Sequence, residues 1–254
     1  MKKMSVIIAS LVLSALLATT TQAEDPISFG LTADFYSKYI WRGQNLDDDF
    51  VLQTGASATV GNLTAGIWGS LELTDFTGNE GQFTEVDYSL DYSSELPGIE
   101  GVGYSLGVIY YDFPSTLTKD TTELYWGLSL ELPLNPSLTV YHDVDEAKGT
   151  YVSLAVGHSV EQIARLGPDM PVGLEVGVSL GWGSGSYNNY YWGIDESKLN
   201  DLSVSVSFPV NIAGWTVAPV LSYVTLVNSD IRDTDAYATD SDYFLSGISL
   251  SKTF

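Results

Sequence analysis

After its first two dozen residues the chain alternates polar and apolar positions almost without interruption, at a period of two rather than 3.6. Alternation sustained over about ten residues and bounded by turn residues predicts a β-strand with two unlike faces. Twelve such segments can be read: 28–41, 50–60, 63–74, 82–92, 104–113, 122–132, 138–144, 150–160, 172–182, 202–210, 215–226 and 243–254. Most reach the roughly 9–11 residues that a tilted strand needs to cross a bilayer. Only "VEQIARL" at 160–166 has helical spacing, which predicts a small helix outside the membrane.

The connections alternate as well. Gly61 and Asn62 form a two-residue hairpin turn of a favoured type. The links 133–136 and 211–214 are also short, whereas 42–49, 75–81, 114–121, 183–200 and 227–242 are long. Short turns at one end and long loops at the other are the arrangement of outer-membrane barrels. The stretches 93–101 and 161–171 are longer than the rest of the short side.

Charge follows the same period. In 28–41, Phe29, Leu31, Ala33, Phe35, Tyr39 and Trp41 share one face, opposite Thr32, Asp34, Tyr36 and Lys38. On the later segments the apolar face is free of charge except for Asp112 and Lys252, both near strand ends. A charge facing lipid at midplane costs about 2–4 kcal/mol, and less near the interface. A soluble β-sandwich alternates too, but neither strand length nor loop pattern favours it. The expected fold is all-β: a single antiparallel transmembrane β-barrel of about 12 strands over residues 24–254. Ahead of it, "MKK", an apolar run from Val6 to Ala18 and small residues around Ala23 predict a cleaved signal peptide, residues 1–23.

Composition narrows the function. Without cysteine there is no disulfide scaffold, thiolate metal site or cysteine nucleophile. With 32 acidic against 10 basic residues, a formal charge of −22, binding to nucleic acid or docking on anionic lipid is disfavoured. Loss of Lys2 and Lys3 with the signal makes the mature chain more acidic still. The expected surroundings are outer-membrane lipid outside and small hydrophilic solutes or cations inside, with no cofactor.

The inward register is small on many strands, as at Ser105, Gly107, Gly127, Ser129, Ser153, Gly177, Ser179, Ser203 and Ser205. Such residues leave a twelve-stranded lumen unfilled and favour a water-filled passage. Closure would instead require Tyr36, Trp68, Tyr111, Tyr125 and Tyr151 to reach across. The charged candidates for the pore lining and constriction are Asp34, Lys38, Arg42, Glu72, Glu85, Asp87, Asp91, Glu123, Glu131 and Glu175. Clustered carboxylates favour cations, so the expected function is passive diffusion of small hydrophilic solutes with cation preference. The alternative is a non-conducting binding or structural barrel acting through acidic and aromatic loops. In that reading "SGSYNNYYWGID" (184–195) has the aromatic and polar make-up of a sugar or nucleoside site. The loop "DIRDTDAYATDSDY" lacks the glycine and spacing of an EF-hand and is expected to be solvated.

No enzyme is expected. The two histidines, His142 and His158, fall in the outward register. His142 is followed by Asp143, but adjacent residues on a strand face opposite ways, so the pair is no dyad.

The segment "DFYSKYIWRGQNL" (34–46), followed by "TAGIWGSLE" (64–72), resembles the TorF-like family of outer-membrane porins, in which an aromatic-Val/Ile-Phe/Trp-Arg-Gly pattern precedes Gly-x-Trp-x-Ser on the third strand. The resemblance covers residues 34–72 and implies an outer-membrane barrel. The chain ends on Phe254 in the apolar register, which resembles the C-terminal signal read by the barrel-assembly machinery, with Lys252 where such signals often carry an aromatic. The lone Arg42 is expected at the lumen mouth, tied to Glu72 or Glu85 or forming the positive pole of a constriction, with Tyr39 and Trp41 facing lipid.

Overall fold

The computed structural model describes residues 26–238 and 240–254; the segment 1–23 lies outside the described residues. In chain order the strands are β1 (Ser28–Tyr36), β2 (Tyr39–Trp41), β3 (Gln44–Asp47), β4 (Val51–Val60), β5 (Leu63–Glu72), β6 (Phe83–Glu95), β7 (Val102–Asp112), β8 (Thr121–Leu130), β9 (Ser137–Asp143), β10 (Thr150–Gly167), β11 (Met170–Gly183), β12 (Lys198–Ser207), β13 (Val210–Ile212), β14 (Trp215–Leu226) and β15 (Asp242–Thr253). Helix α1 (Gly185–Trp192) lies between β11 and β12, and α2 (Ser229–Arg232) between β14 and β15.

Twelve of these strands, all but β2, β3 and β13, form one antiparallel wall. Each pairs with the next wall strand along the chain, and β1 pairs with β15 to close the cylinder. Phe29 and Phe254 exchange backbone hydrogen bonds of 3.2 and 2.8 Å at the seam. Closure leaves no unpaired edge, which a sheet surrounded by lipid requires. Among the described residues no helix is long and apolar enough to cross a membrane. The outer surface instead carries exposed Leu31, Phe35, Ile67, Leu106, Trp126, Leu154, Val204, Leu221 and Ile248, the outward register of successive wall strands.

The structure departs from the sequence expectations at four places. The first predicted strand ends at Tyr36, not at residue 41. Residues 160–166 are not a helix but part of β10, which runs on to Gly167 and pairs with β11 through a register shift. Pairing with β11, which resumes at Ala164 beyond the irregularity, outweighs a weak local helical spacing. The predicted strand 202–210 starts earlier, at Lys198, and stops at Ser207. Pro209 cannot donate to the ladder, and the short β13 resumes the pairing beyond it. Finally, the long loop 183–200 contains α1.

Candidate functional site: a hairpin across the lumen mouth

Beyond Tyr36 the chain leaves the wall and turns inward. Strands β2 and β3 pair only with each other, as a two-stranded sheet whose turn is Arg42–Gly43. Both turn residues have positive φ, 50° and 80°. This is the two-residue turn whose twist matches antiparallel strands. Glycine adopts it freely, whereas a residue with a side chain costs roughly 1–2 kcal/mol there. A Cβ on Gly43 would lie 2.6 Å from Leu226 Cδ2 and 2.9 Å from Asp201 Cβ, so the hairpin tip touches the opposite wall at β12 and β14.

The cost at Arg42 is offset by its surroundings. Nη1 and Nη2 donate to Glu123 Oε1 and Oε2 at 2.7 and 2.8 Å, a two-pronged, charge-assisted pair. The guanidinium carbon lies 4.3–4.4 Å from the ring centres of Trp41, Tyr141 and Tyr151. A planar, weakly hydrated cation is suited to such stacking. The pair is withdrawn from water, with side-chain exposures of 8% for Arg42 and 2% for Glu123. Tyr111 Oη donates to Glu123 Oε2 at 2.8 Å, and Tyr151 Oη to Asp201 Oδ1 at 2.9 Å.

Helix α1 covers the same layer. Ser184 caps its N-terminus by accepting from the Tyr187 amide, and Gly193 ends it in the left-handed conformation. Asn188, fully buried, donates to the carbonyls of Gly183 and Glu196 and accepts from Asn200 Nδ2. That network holds Tyr187 over the lumen, where Gln44 Nε2 donates to its hydroxyl at 3.2 Å. Ring contacts run from Tyr111 to Trp41 to Tyr191, and from Tyr191 through Tyr187 to Tyr151 and Tyr141, at 4.6–6.4 Å.

Tyr39 and Trp41 therefore do not face lipid. Tyr39 packs on Trp68 at 5.7 Å inside the barrel and borders the same cavity as Glu85. Their alternation continues the period of β1, but it belongs to a separate internal sheet, and period alone does not distinguish the two. The tie of Arg42 is to Glu123, not to Glu72 or Glu85.

Of the ten candidate residues, Arg42, Glu85, Asp87 and Glu123 meet in this layer. Lys38 pairs with Asp48, and the buried Glu72 accepts from the amide and hydroxyl of Thr77; both hold loops at the rim. Deeper in the lumen, Asp34 accepts from Ser249 and Asp91 from Tyr125. Glu175 accepts from Ser207 at 2.9 Å, and Glu131 lies beyond the end of β8 on the turn side. Asp201 and Tyr141 are site residues that the sequence reading missed, whereas Tyr187 lies in the aromatic segment 184–195 that it singled out. Extending the inward register of Ser203, Ser205 and Ser207 back by one step reaches Asp201, so that signal was present.

Three cavities flank the layer. On the loop side lies a vestibule of about 1070 Å³ bordered by Tyr39, Trp41, Gln44 and Leu46 of the hairpin. On the other side a space of about 260 Å³ touches Ile40, Arg42 and Gly43, and one of about 720 Å³ is lined by Ser94, Ser105, Gly127 and Ser129 nearer the turns. The small inward residues thus leave space below a mouth crossed by the hairpin.

No protein-family model matches this chain, and no curated protein matches it in sequence. Among solved structures it is similar to a NanC porin in a rhombohedral crystal form, with a TM-score of 0.50, 11% identity, and coverage of 88% of this chain and 98% of the other. It is also similar to LpxR from Salmonella typhimurium, with a TM-score of 0.51, 9% identity and coverage of 89% and 100%. The fold is that of an outer-membrane β-barrel. The exposed apolar belt is then its lipid-facing surface, and the outer membrane its location. The resemblance of residues 34–72 to the TorF-like family has no family match behind it. His142 is exposed and bonded through Nδ1 to Thr150 Oγ1 at 2.9 Å, whereas Asp143 is buried on the opposite face.

Proposed function

We propose that this barrel passes small hydrophilic solutes across the outer membrane by diffusion, prefers cations, and takes its constriction from the β2–β3 hairpin. The observation that carries the reading is the charge at the mouth: Glu85, Asp87, Glu123 and Asp201 all face inward around a single arginine. Arg42 neutralises one of them through its two-pronged bond, so the layer keeps an excess of carboxylate oxygens, the arrangement that favours cations. Asp34, Asp91 and Glu175 continue the acidic lining below it. Assembly through the barrel-assembly machinery is read from Phe254, which closes the seam against Phe29.

The test is a planar bilayer under a potassium chloride gradient, with the wild-type chain and a variant in which residues 39–47 are replaced by a short Gly-Ser link. Conductance with a reversal potential of cation-selective sign, raised in the variant, is expected. Anion selectivity, or silence of both proteins, would refute the proposal.

A further inference from the structure

We infer that the vestibule above the hairpin is a binding site for a neutral, hydroxyl-rich ring compound, an uncharged oligosaccharide. At about 1070 Å³ it stands at the upper end of small-molecule sites, with room for several linked rings. Its walls are of two kinds. Trp41, Tyr190, Tyr191 and Tyr237 are aromatic and only partly buried, and Tyr190 is 44% exposed. Thr84, Ser115 and Thr118 of the same lining bring hydroxyls, each able to donate and to accept. A sugar ring has the matching pair of surfaces: weakly positive C–H groups for the negative face of an aromatic ring, and hydroxyls around its edge.

The charged groups of the wall argue against an ionic ligand. Glu85 is only 4% exposed, and Glu146 pairs with Lys119 at 2.8 Å. A bulky ion would meet little accessible charge here, because Lys119 is already paired and Glu85 is withdrawn from the surface. What remains open is aromatic face and hydroxyl. The aromatic wall is also held in place: Tyr191 is packed between Trp41 at 5.6 Å and Tyr187 at 4.6 Å, and α1 carries it on the buried Asn188 network. Preorganised side chains keep the ordering cost of binding low.

The experiment uses the full mature chain in detergent micelles, with maltotriose, cellotriose and mannotriose as neutral probes and a galacturonic acid trimer and a glucosamine trimer as charged ones. Binding is followed by tryptophan fluorescence and calorimetry. Saturable binding of at least one neutral trisaccharide is expected, tighter than either charged trimer and weakened ten-fold or more in Tyr191→Ala. Tyr190→Ala, at an exposed position, should weaken it as well, with heat-dependent gel mobility unchanged as the sign of an intact barrel. The inference falls if no neutral probe binds up to about 10 mM, an affinity range accessible to both methods, if a charged trimer binds most tightly, or if Tyr190→Ala binds as wild type. Because no voltage or flux is involved, a silent bilayer leaves this result standing, and a failed titration leaves conductance untouched.

Discussion

Arg42 holds the hairpin against β8 by contacts that its neighbours cannot replace. Truncating it to alanine leaves Glu123 buried with only Tyr111 as a partner. Breaking one side of a buried ion pair costs about 3–5 kcal/mol, so Arg42→Ala should undock the hairpin while the wall, which pairs independently of it, stays closed. Protease access to residues 39–47, set beside unchanged heat-dependent gel mobility, checks both halves. Arg42→Lys should recover little, because an ammonium cannot make the two-pronged bond or stack between Trp41, Tyr141 and Tyr151. Gly43→Ala should act alike for a different reason: its φ of 80° disfavours a side chain, and the far wall leaves no room for one. At this scale the sequence carried the sign and side of Arg42 but not its partner. Glu72 and Glu85 are nearer along the wall, and only the length of an inward hairpin brings Glu123 within reach.

Among the elements, wall strands were legible because burial on one face and lipid on the other impose a period of two. The hairpin was not, since its two strands share that period while pairing only with each other. Helix α1 was hidden for another reason: its eight residues carry no amphipathic stripe, and they are helical because of caps and the Asn188 network. Asn188→Ala strands the Asn200 amide and the Gly183 carbonyl in a buried site, each buried unsatisfied group costing about 1–3 kcal/mol. Faster proteolysis within residues 184–197, with the barrel otherwise intact, is the expected result. The hairpin should also respond to pH. Burial raises the Asp47 carboxyl from 3.8 to about 6, and the nearby Glu72, Asp49 and Asp48 push it the same way. A raised carboxylate pKa means that the docked form binds its proton more tightly than the undocked form. Docking is therefore most favourable at low pH, and that advantage is lost as pH rises from about 4 through about 6. Conductance measured at pH 5 should be lower than at pH 7, and Asp47→Asn should give the lower value at both.

For the whole molecule, the division between lipid and lumen yields the sharpest test, because two neighbouring residues fall on opposite sides of it. Leu106 and Ser105 lie near the middle of β7; Leu106 is 54% exposed on the outer surface, whereas Ser105 lines the cavity of about 720 Å³. The same substitution at the two positions should have unlike consequences. Leu106→Arg places a charge in the hydrocarbon region, which costs about 2–4 kcal/mol near midplane, and should lower folding yield and the urea midpoint in lipid. Ser105→Arg places it in water beside the acidic lining, close to where Asp91 accepts from Tyr125, and should leave stability nearly unchanged. Its effect belongs to transport: a cation added to an acidic lumen should shift the reversal potential toward anions. Loss of stability from Ser105→Arg together with tolerance of Leu106→Arg would invert the assignment of faces. That result would overturn the lipid-facing reading of the apolar belt, on which the placement of every inward carboxylate rests.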